Sequence, residues 1–177
     1  LVVQANRDTD VAFAHVVRLV KHWNRRHGMP LCSWHIKALA LDVITSPMSM
    51  AEGLSTWFQH AATAVATGAT PDPAHVAEKD LLPRVTQAEA VMKLSKAANQ
   101  IAEALALAES GRLALAQDAL FKWMNDADVL PAPSVAAVLA DGSKGFETPA
   151  PSGVPGLITG VGATVATSRP QVRSWAP

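Results

Sequence analysis

Apolar side chains recur at helical spacing in one segment after another over the first 128 residues. In the first segment each apolar residue has another one three or four positions away: Phe13, Val16, Val17, Leu19, Val20 and Trp23. This spacing is typical of an amphipathic helix and predicts a helix from about Thr9 to His27, with Trp23 in the core. Gly28 and Pro30 follow, as expected where a helix ends.

Start signals predict where the later helices begin. Ser33 is a candidate N-cap of a second helix that reaches Ile44, and two capping boxes open the third and fourth helices, Ser49 with Glu52 and Thr86 with Glu89. Gly68 ends the third helix, Gly111 separates the fourth from a fifth, and residues 69–84, with three prolines, are expected to form an irregular loop. Alanine is abundant and tyrosine is absent, which argues against a sheet. The predicted fold is all-α, a bundle of about five helices.

The composition changes after Asp128. Residues 129–177 contain seven of the twelve prolines and six of the ten glycines. This bias predicts a helical domain over residues 1–128 and a largely disordered tail over 129–177, apart from a short helix at Ser134 to Leu139. Attachment, docking to a protein partner and plain disorder are all open roles for the tail.

The sequence favours a cytoplasmic location. The single cysteine, Cys32, excludes an intramolecular disulfide and a multi-cysteine zinc site. We find no signal peptide and no apolar run of the roughly 20 residues that a membrane span needs, so no membrane partner is expected. The chain begins at Leu1 and not at methionine, which fits a fragment.

A local basic block stands out in a chain whose formal net charge is zero. Val11 to Leu41 contains five lysines and arginines and no acidic residue. This block indicates an anionic ligand or partner, and a solvated helix face is the alternative. The block also contains His15 and His22, but two histidines without a carboxylate make a weak metal site.

Three residues of the block have the chemistry of a clamp for a nucleoside triphosphate. Lys21 lies late on the first helix, and a tight turn is expected to bring the second helix back beside it. The start of that helix, at Ser33, presents free N–H groups and a hydroxyl to a phosphate. Trp34 offers a ring on which a base can stack. Each residue also has a structural alternative, since Lys21 can be solvated, Ser33 can cap its helix and Trp34 can pack in the core.

Two blocks, RLVKHWNRRHG and LCSWHIKALAL, carry a resemblance to a known family. They resemble the C-terminal helical lobe of the nucleotidyltransferases related to oligoadenylate synthetase and cyclic GMP-AMP synthase, which in bacteria are cyclic-oligonucleotide synthases of anti-phage defence. The matching residues are Lys21, Ser33, Trp34, His35 and Lys37. The resemblance implies that Lys21 and Ser33 contact the donor triphosphate, that Trp34 stacks on a base, and that Lys37 reaches phosphate or an acceptor strand.

The catalytic half of that family has no counterpart in this sequence. The family's Asp-x-Asp metal ligands lie in an N-terminal sheet lobe, whereas Asp8 and Asp10 precede an amphipathic helix and read as acids of its first turn. The chain alone is therefore expected to be inactive, with no catalytic residue and no metal of its own. The resemblance implies that nucleoside triphosphates, the N-terminal lobe and its Mg²⁺ complete the enzyme. A non-catalytic helical interaction module with a basic face is the alternative.

Overall fold

The computed structural model describes residues 1–75 and 80–143, and within them it shows helices and no strand. The helices are α1 (Val2–Asp8), α2 (Ala12–Arg26), α3 (Ser33–Val43), α4 (Met50–Thr67), α5 (Gln87–Glu109), α6 (Leu113–Met124) and α7 (Val135–Ser143). The predicted all-α class is confirmed. The part of the predicted tail that follows Ser143 lies outside the described residues.

Phe58 of α4 lies at the centre of an aromatic cluster in the core. The rings of Trp23, Trp57 and Trp123 meet it edge-on, with centroids 4.9, 4.8 and 5.7 Å away. Edge-to-face pairs of this kind add about 0.5–1.5 kcal/mol each to the burial of the rings. The cluster ties α2, α4 and α6 together, and it confirms the prediction that Trp23 belongs to the core.

Small residues let the helices approach closely. Alanines at five buried positions line the contacts of α4, α5 and α6: Ala61, Ala90, Ala97, Ala104 and Ala116. At Gly53 the approach is closest, because a Cβ there would lie 2.6 Å from Cγ2 of Val16. At this point α4 therefore lies so close to α2 that a side chain at position 53 would displace Val16.

Two of the predicted helix starts are confirmed and one is wrong. The hydroxyls of Ser49 and Thr86 accept hydrogen bonds from the third backbone N–H that follows each of them, at 3.2 Å. Ser33, however, is the first residue of α3, and the N-cap is Cys32, whose Sγ accepts from the N–H of His35 at 3.3 Å. The shift arises because Cys32 has an extended backbone, with φ −76° and ψ 160°, so helical geometry begins one residue later than expected.

The start of the chain also differs from the prediction. Asp8 ends the additional helix α1, and α2 begins at Ala12 with no acid in its first turn, so the reading of Asp8 and Asp10 as acids of that helix is wrong. Two left-handed residues, Asp10 and Val11, separate the helices, with φ of 48° and 63°. This corner breaks the helical pattern that the sequence suggested from Thr9 onward.

The last described helix, α7, lies beyond residue 128, where the sequence predicted a short helix at Ser134 to Leu139. A carboxylate oxygen of Asp141 accepts from the backbone N–H of Ala114 at 2.6 Å, which attaches α7 to the start of α6. None of the helices in the described part of the chain combines the length and apolar character that crossing a membrane requires.

Candidate functional site

A cleft of about 390 Å³ opens between α1, α2 and α3. Four cationic side chains line it: Arg7 from α1, Arg18 and Lys21 from α2, and Lys37 from α3. No acidic side chain of the described residues lines the cleft. Three separate helices thus direct positive charge toward one space.

These cations have no ion-pair partner within 4 Å among the described residues. Burial, and then the charges of Lys37 and Arg25, lower the pKa of the Lys21 ammonium group. Like charges held together in this way repel one another, and a bound anion relieves that repulsion. The electrostatics of the cleft therefore favour an anionic ligand.

The rest of the cleft lining is mostly apolar. Besides Asn6, it consists of side chains from α1 and α2: Val2, Val3, Phe13, Ala14 and Val17. Phe13 and Val17 belong to the core, so this part of the lining is fixed by packing. A ligand that fits this lining has an anionic group and a less polar body, as a nucleotide does.

The turn between α2 and α3 sets the distance between Lys21 and Lys37. Gly28 and Met29 adopt left-handed backbone conformations, with φ of 82° and 50°. The buried side chain of Asn24 donates to the carbonyl of Leu31 at 2.9 Å and accepts from its N–H at 3.1 Å. These two bonds fold the chain back, so that α3 lies beside α2.

Trp34 is half-buried and lies beside the cleft, not in its lining. Its indole Nε1 donates to a carboxylate oxygen of Asp72 at 2.8 Å, and the Nζ of Lys37 lies 5.9 Å from the ring centroid. Asp72 thus fixes the ring on α3, and the ring in turn borders Lys37. A base that stacks on Trp34 would lie next to a phosphate bound at Lys37.

Ser33 is exposed at the first position of α3 and does not line the cleft. The structure therefore brings Lys21 and Lys37 together, places Trp34 beside them and leaves Ser33 at the edge of the group. A phosphate that reaches Ser33 has to extend out of the cleft toward the start of α3.

His35, which belongs to the quoted motif, is fully buried and faces away from solvent. Its Nε2 lies 2.8 Å from the hydroxyl of Thr70. Burial lowers the pKa of the His35 imidazole, and a backbone interaction with Leu82 opposes that change in part. His35 thus joins α3 to the loop after α4 and does not line the cleft.

Sequence reasoning missed several residues that build the site. Arg18 belongs to the basic block and lies three positions before Lys21, a spacing that puts both on one helix face. Arg7 gave no signal, because α1 was not predicted. Asn24 and Asp72 act through contacts with positions in turns and loops, which helical periodicity does not reveal.

His22 has a structural partner just after the end of α6. Its Nε2 lies 2.8 Å from a carboxylate oxygen of Asp126, and the Nε of Arg26 donates to the carbonyl of Asn125 at 3.0 Å. Together these bonds attach the end of α6 to α2. In the described part of the chain no three His, Cys, Asp or Glu side chains are grouped so that they could hold a metal ion.

Comparison with known proteins leaves the chain without an assigned relative, since no family model, no curated protein and no solved structure matches it.

Proposed function

We propose that this chain is the helical, nucleotide-binding lobe of a cytoplasmic, template-independent nucleotidyltransferase. The complete enzyme makes cyclic or linear oligonucleotides from nucleoside triphosphates, in anti-phage defence. The cleft between α1, α2 and α3 receives the triphosphate, and a catalytic N-terminal lobe supplies the opposite wall. The observation that carries the proposal is the set of four cations around a single cleft, none of which has an ion-pair partner among the described residues.

Each residue of the clamp has a distinct task in this proposal. Lys21, whose pKa is lowered by burial and by Lys37, holds phosphate oxygens, and the charge of the bound anion raises that pKa again. Lys37 holds a further phosphate from the facing helix. Trp34 stacks on the base, and Ser33 donates its hydroxyl to phosphate at the start of α3.

The reaction itself takes place at the border of the two lobes. A ribose hydroxyl attacks the α-phosphorus of the bound triphosphate, a new phosphodiester bond forms and pyrophosphate leaves. In the complete enzyme, carboxylates of the N-terminal lobe would hold Mg²⁺, which would supply Lewis-acid stabilisation of the phosphate charge. The residues of this chain orient the triphosphate and neutralise the charge of the departing pyrophosphate.

Nuclear magnetic resonance titration of the ¹⁵N-labelled chain with ATP tests the proposal, because it detects weak binding to half of a cleft. We expect shifts at the end of α2 and the start of α3. Lys21→Ala should weaken binding about twofold to fivefold, as expected for the loss of one solvent-accessible charge contact. Trp34→Ala should weaken the binding of ATP and leave the binding of inorganic tripolyphosphate unchanged.

Lys122→Ala is the matched control, since Lys122 lies on α6 and pairs with Asp118 at 2.6 Å. This variant should bind ATP like the wild type. If ATP shifts no resonance of the cleft, or if Lys21→Ala and Lys122→Ala behave alike, the nucleotide-binding function is wrong.

A second groove favours the alternative of a helical interaction module. It has a volume of about 300 Å³ and only apolar side chains in its lining, which comes from α2, α4, α5, α6 and the segment after α6. Met50 and Val129 of this lining are exposed by 39% and 45%. Stable self-association in light scattering, together with no response to ATP, would favour this alternative.

A further inference from the structure

Arg7 is the cation that reaches the cleft from α1, whereas the other three cations of the lining come from α2 and α3. Arg18 and Lys21 lie on one face of α2, and Lys37 faces them from α3. Arg7 lies in the last turn of its helix and has no ion pair among the described residues. A ligand held by the other three cations therefore meets a further positive charge from α1.

The position of Arg7 depends on an unusual corner between α1 and α2. Thr9 is fully buried, and its hydroxyl donates to the carbonyl of Ala5 at 2.8 Å and accepts from the N–H of Phe13 at 3.1 Å. Val11 has a φ of 63°, which is unfavourable for a β-branched residue. Its N–H donates to the carbonyl of Asn6 at 3.0 Å, so the corner is held from both sides.

We infer that Arg7 binds the terminal phosphate of the triphosphate and makes the cleft prefer triphosphates over diphosphates. This inference rests on the proposed function. An added phosphoryl group brings further negative charge and acceptor oxygens, and a guanidinium group binds them through two parallel hydrogen bonds. Thr9 is the positioning residue, because its two hydrogen bonds fix α1 and hence Arg7 relative to α2.

Calorimetric titration of the full chain with inorganic tripolyphosphate and with pyrophosphate tests the inference. The wild type should bind tripolyphosphate about three- to tenfold more tightly than pyrophosphate. Arg7→Gln should remove most of this difference and leave pyrophosphate binding nearly unchanged. Arg112→Gln, at the N-cap of α6 and outside the cleft lining, is the matched control and should keep the full difference.

The corner is tested with two substitutions of Thr9. Thr9→Val keeps the shape and loses both hydroxyl bonds, so it should lower the preference for tripolyphosphate, whereas Thr9→Ser should retain it. Circular dichroism shows whether Thr9→Val is folded. If it is not, the Arg7→Gln titration still tests the inference, because Arg7 is exposed.

The outcomes separate this inference from the proposed function. If Arg7→Gln keeps the wild-type ratio while Lys21→Ala weakens both anions, Arg7 has no such role and the cleft remains a phosphate site. If the ratio falls but ATP binds no more tightly than tripolyphosphate and Trp34→Ala has no effect, Arg7 keeps its role and the nucleotide function fails. If the wild type binds neither tripolyphosphate nor pyrophosphate, both the inference about Arg7 and the proposed function are wrong.

Discussion

Asn24 and Leu31 exchange two hydrogen bonds across the turn between α2 and α3, from the side-chain amide to the backbone carbonyl and from the backbone N–H to the amide oxygen. Asn24 is 6% exposed and Leu31 is 1% exposed, so water cannot replace either bond. This pair is the reason why the cations of α2 and α3 face a common cleft.

Asn24→Ala should therefore lower both stability and anion binding. It leaves a buried N–H and a buried carbonyl without partners, which costs about 2–4 kcal/mol in the free energy of unfolding. Urea denaturation measures this loss, and polyphosphate titration of the folded fraction measures the effect on the cleft. Asn99→Ala, an exposed asparagine of α5, is the control. A variant as stable as the wild type would contradict the role of the turn.

Gly53→Ala should destabilise the chain even though alanine is the better helix former. The substitution gains up to about 1 kcal/mol of helix propensity, but its Cβ would lie 2.6 Å from Cγ2 of Val16. Separating α4 from α2 in a packed core typically costs about 1–3 kcal/mol. We expect a net loss in thermal and urea denaturation.

A double variant provides the control for this prediction. Val16→Ala removes the methyl group that the new Cβ meets, so Gly53→Ala should cost clearly less in the Val16→Ala background than in the wild type. Equal costs in both backgrounds would show that the close approach of α2 and α4 does not limit position 53.

The sequence predicted the helices whose signals are local. The periodic apolar residues recur within a few positions of one another, and the hydroxyls of Ser49 and Thr86 bind backbone N–H groups three positions away. Such local signals can be recognised in the sequence. The short helix α1 has no such signal, because its place depends on packing against α2 and α3 and on the buried hydroxyl of Thr9. Arg7 was missed for the same reason.

In the predicted site, too, the features with local signals were predicted and those that depend on distant parts of the chain were not. Lys21 and Lys37 lie on neighbouring helices joined by a short turn, so their meeting in one cleft follows from local structure. The bond from Trp34 to Asp72 joins positions 38 residues apart, and it depends on the path of an irregular loop. Ser33 and Cys32 exchange roles because backbone angles, and not residue type alone, decide which residue caps a helix.

Acidification should destabilise the chain through His35. Burial lowers the pKa of His35 in the folded state, so the unfolded chain takes up a proton first as the pH falls below about 6.5. Stability is therefore fully present above that pH and is lost as the pH falls through the folded-state pKa. Urea denaturation between pH 7.5 and 5 measures the loss.

Two variants separate the sources of this pH dependence. His35→Gln keeps a donor near Thr70 and does not titrate, so its stability should change less with pH than that of the wild type. Burial also lowers the pKa of His27, which leaves a smaller dependence that His27→Asn should remove. The pKa of Asp126 is lowered by its hydrogen bond to His22, and its contribution is lost only below about pH 4. If His35→Gln has the same pH profile of stability as the wild type, the pH dependence does not come from His35.

The Lys21 amine should react faster with amine-acylating reagents than a paired lysine of this chain does. Burial and the charges of Lys37 and Arg25 lower its pKa, so at pH 8 a larger fraction of the amine is neutral and nucleophilic. Lys122 is the opposite case, because its hydrogen bond to Asp118 raises its pKa. Mass spectrometry after brief labelling at pH 8 compares the two sites within one sample.

We expect Lys37→Gln to slow the labelling of Lys21, since it removes a charge that lowers the pKa of Lys21, and to leave the labelling of Lys122 unaffected. Tripolyphosphate in the cleft should protect Lys21 and leave the labelling of Lys122 unchanged. Equal labelling rates at Lys21 and Lys122, with no protection by the anion, would mean that the four cations do not form a common binding site.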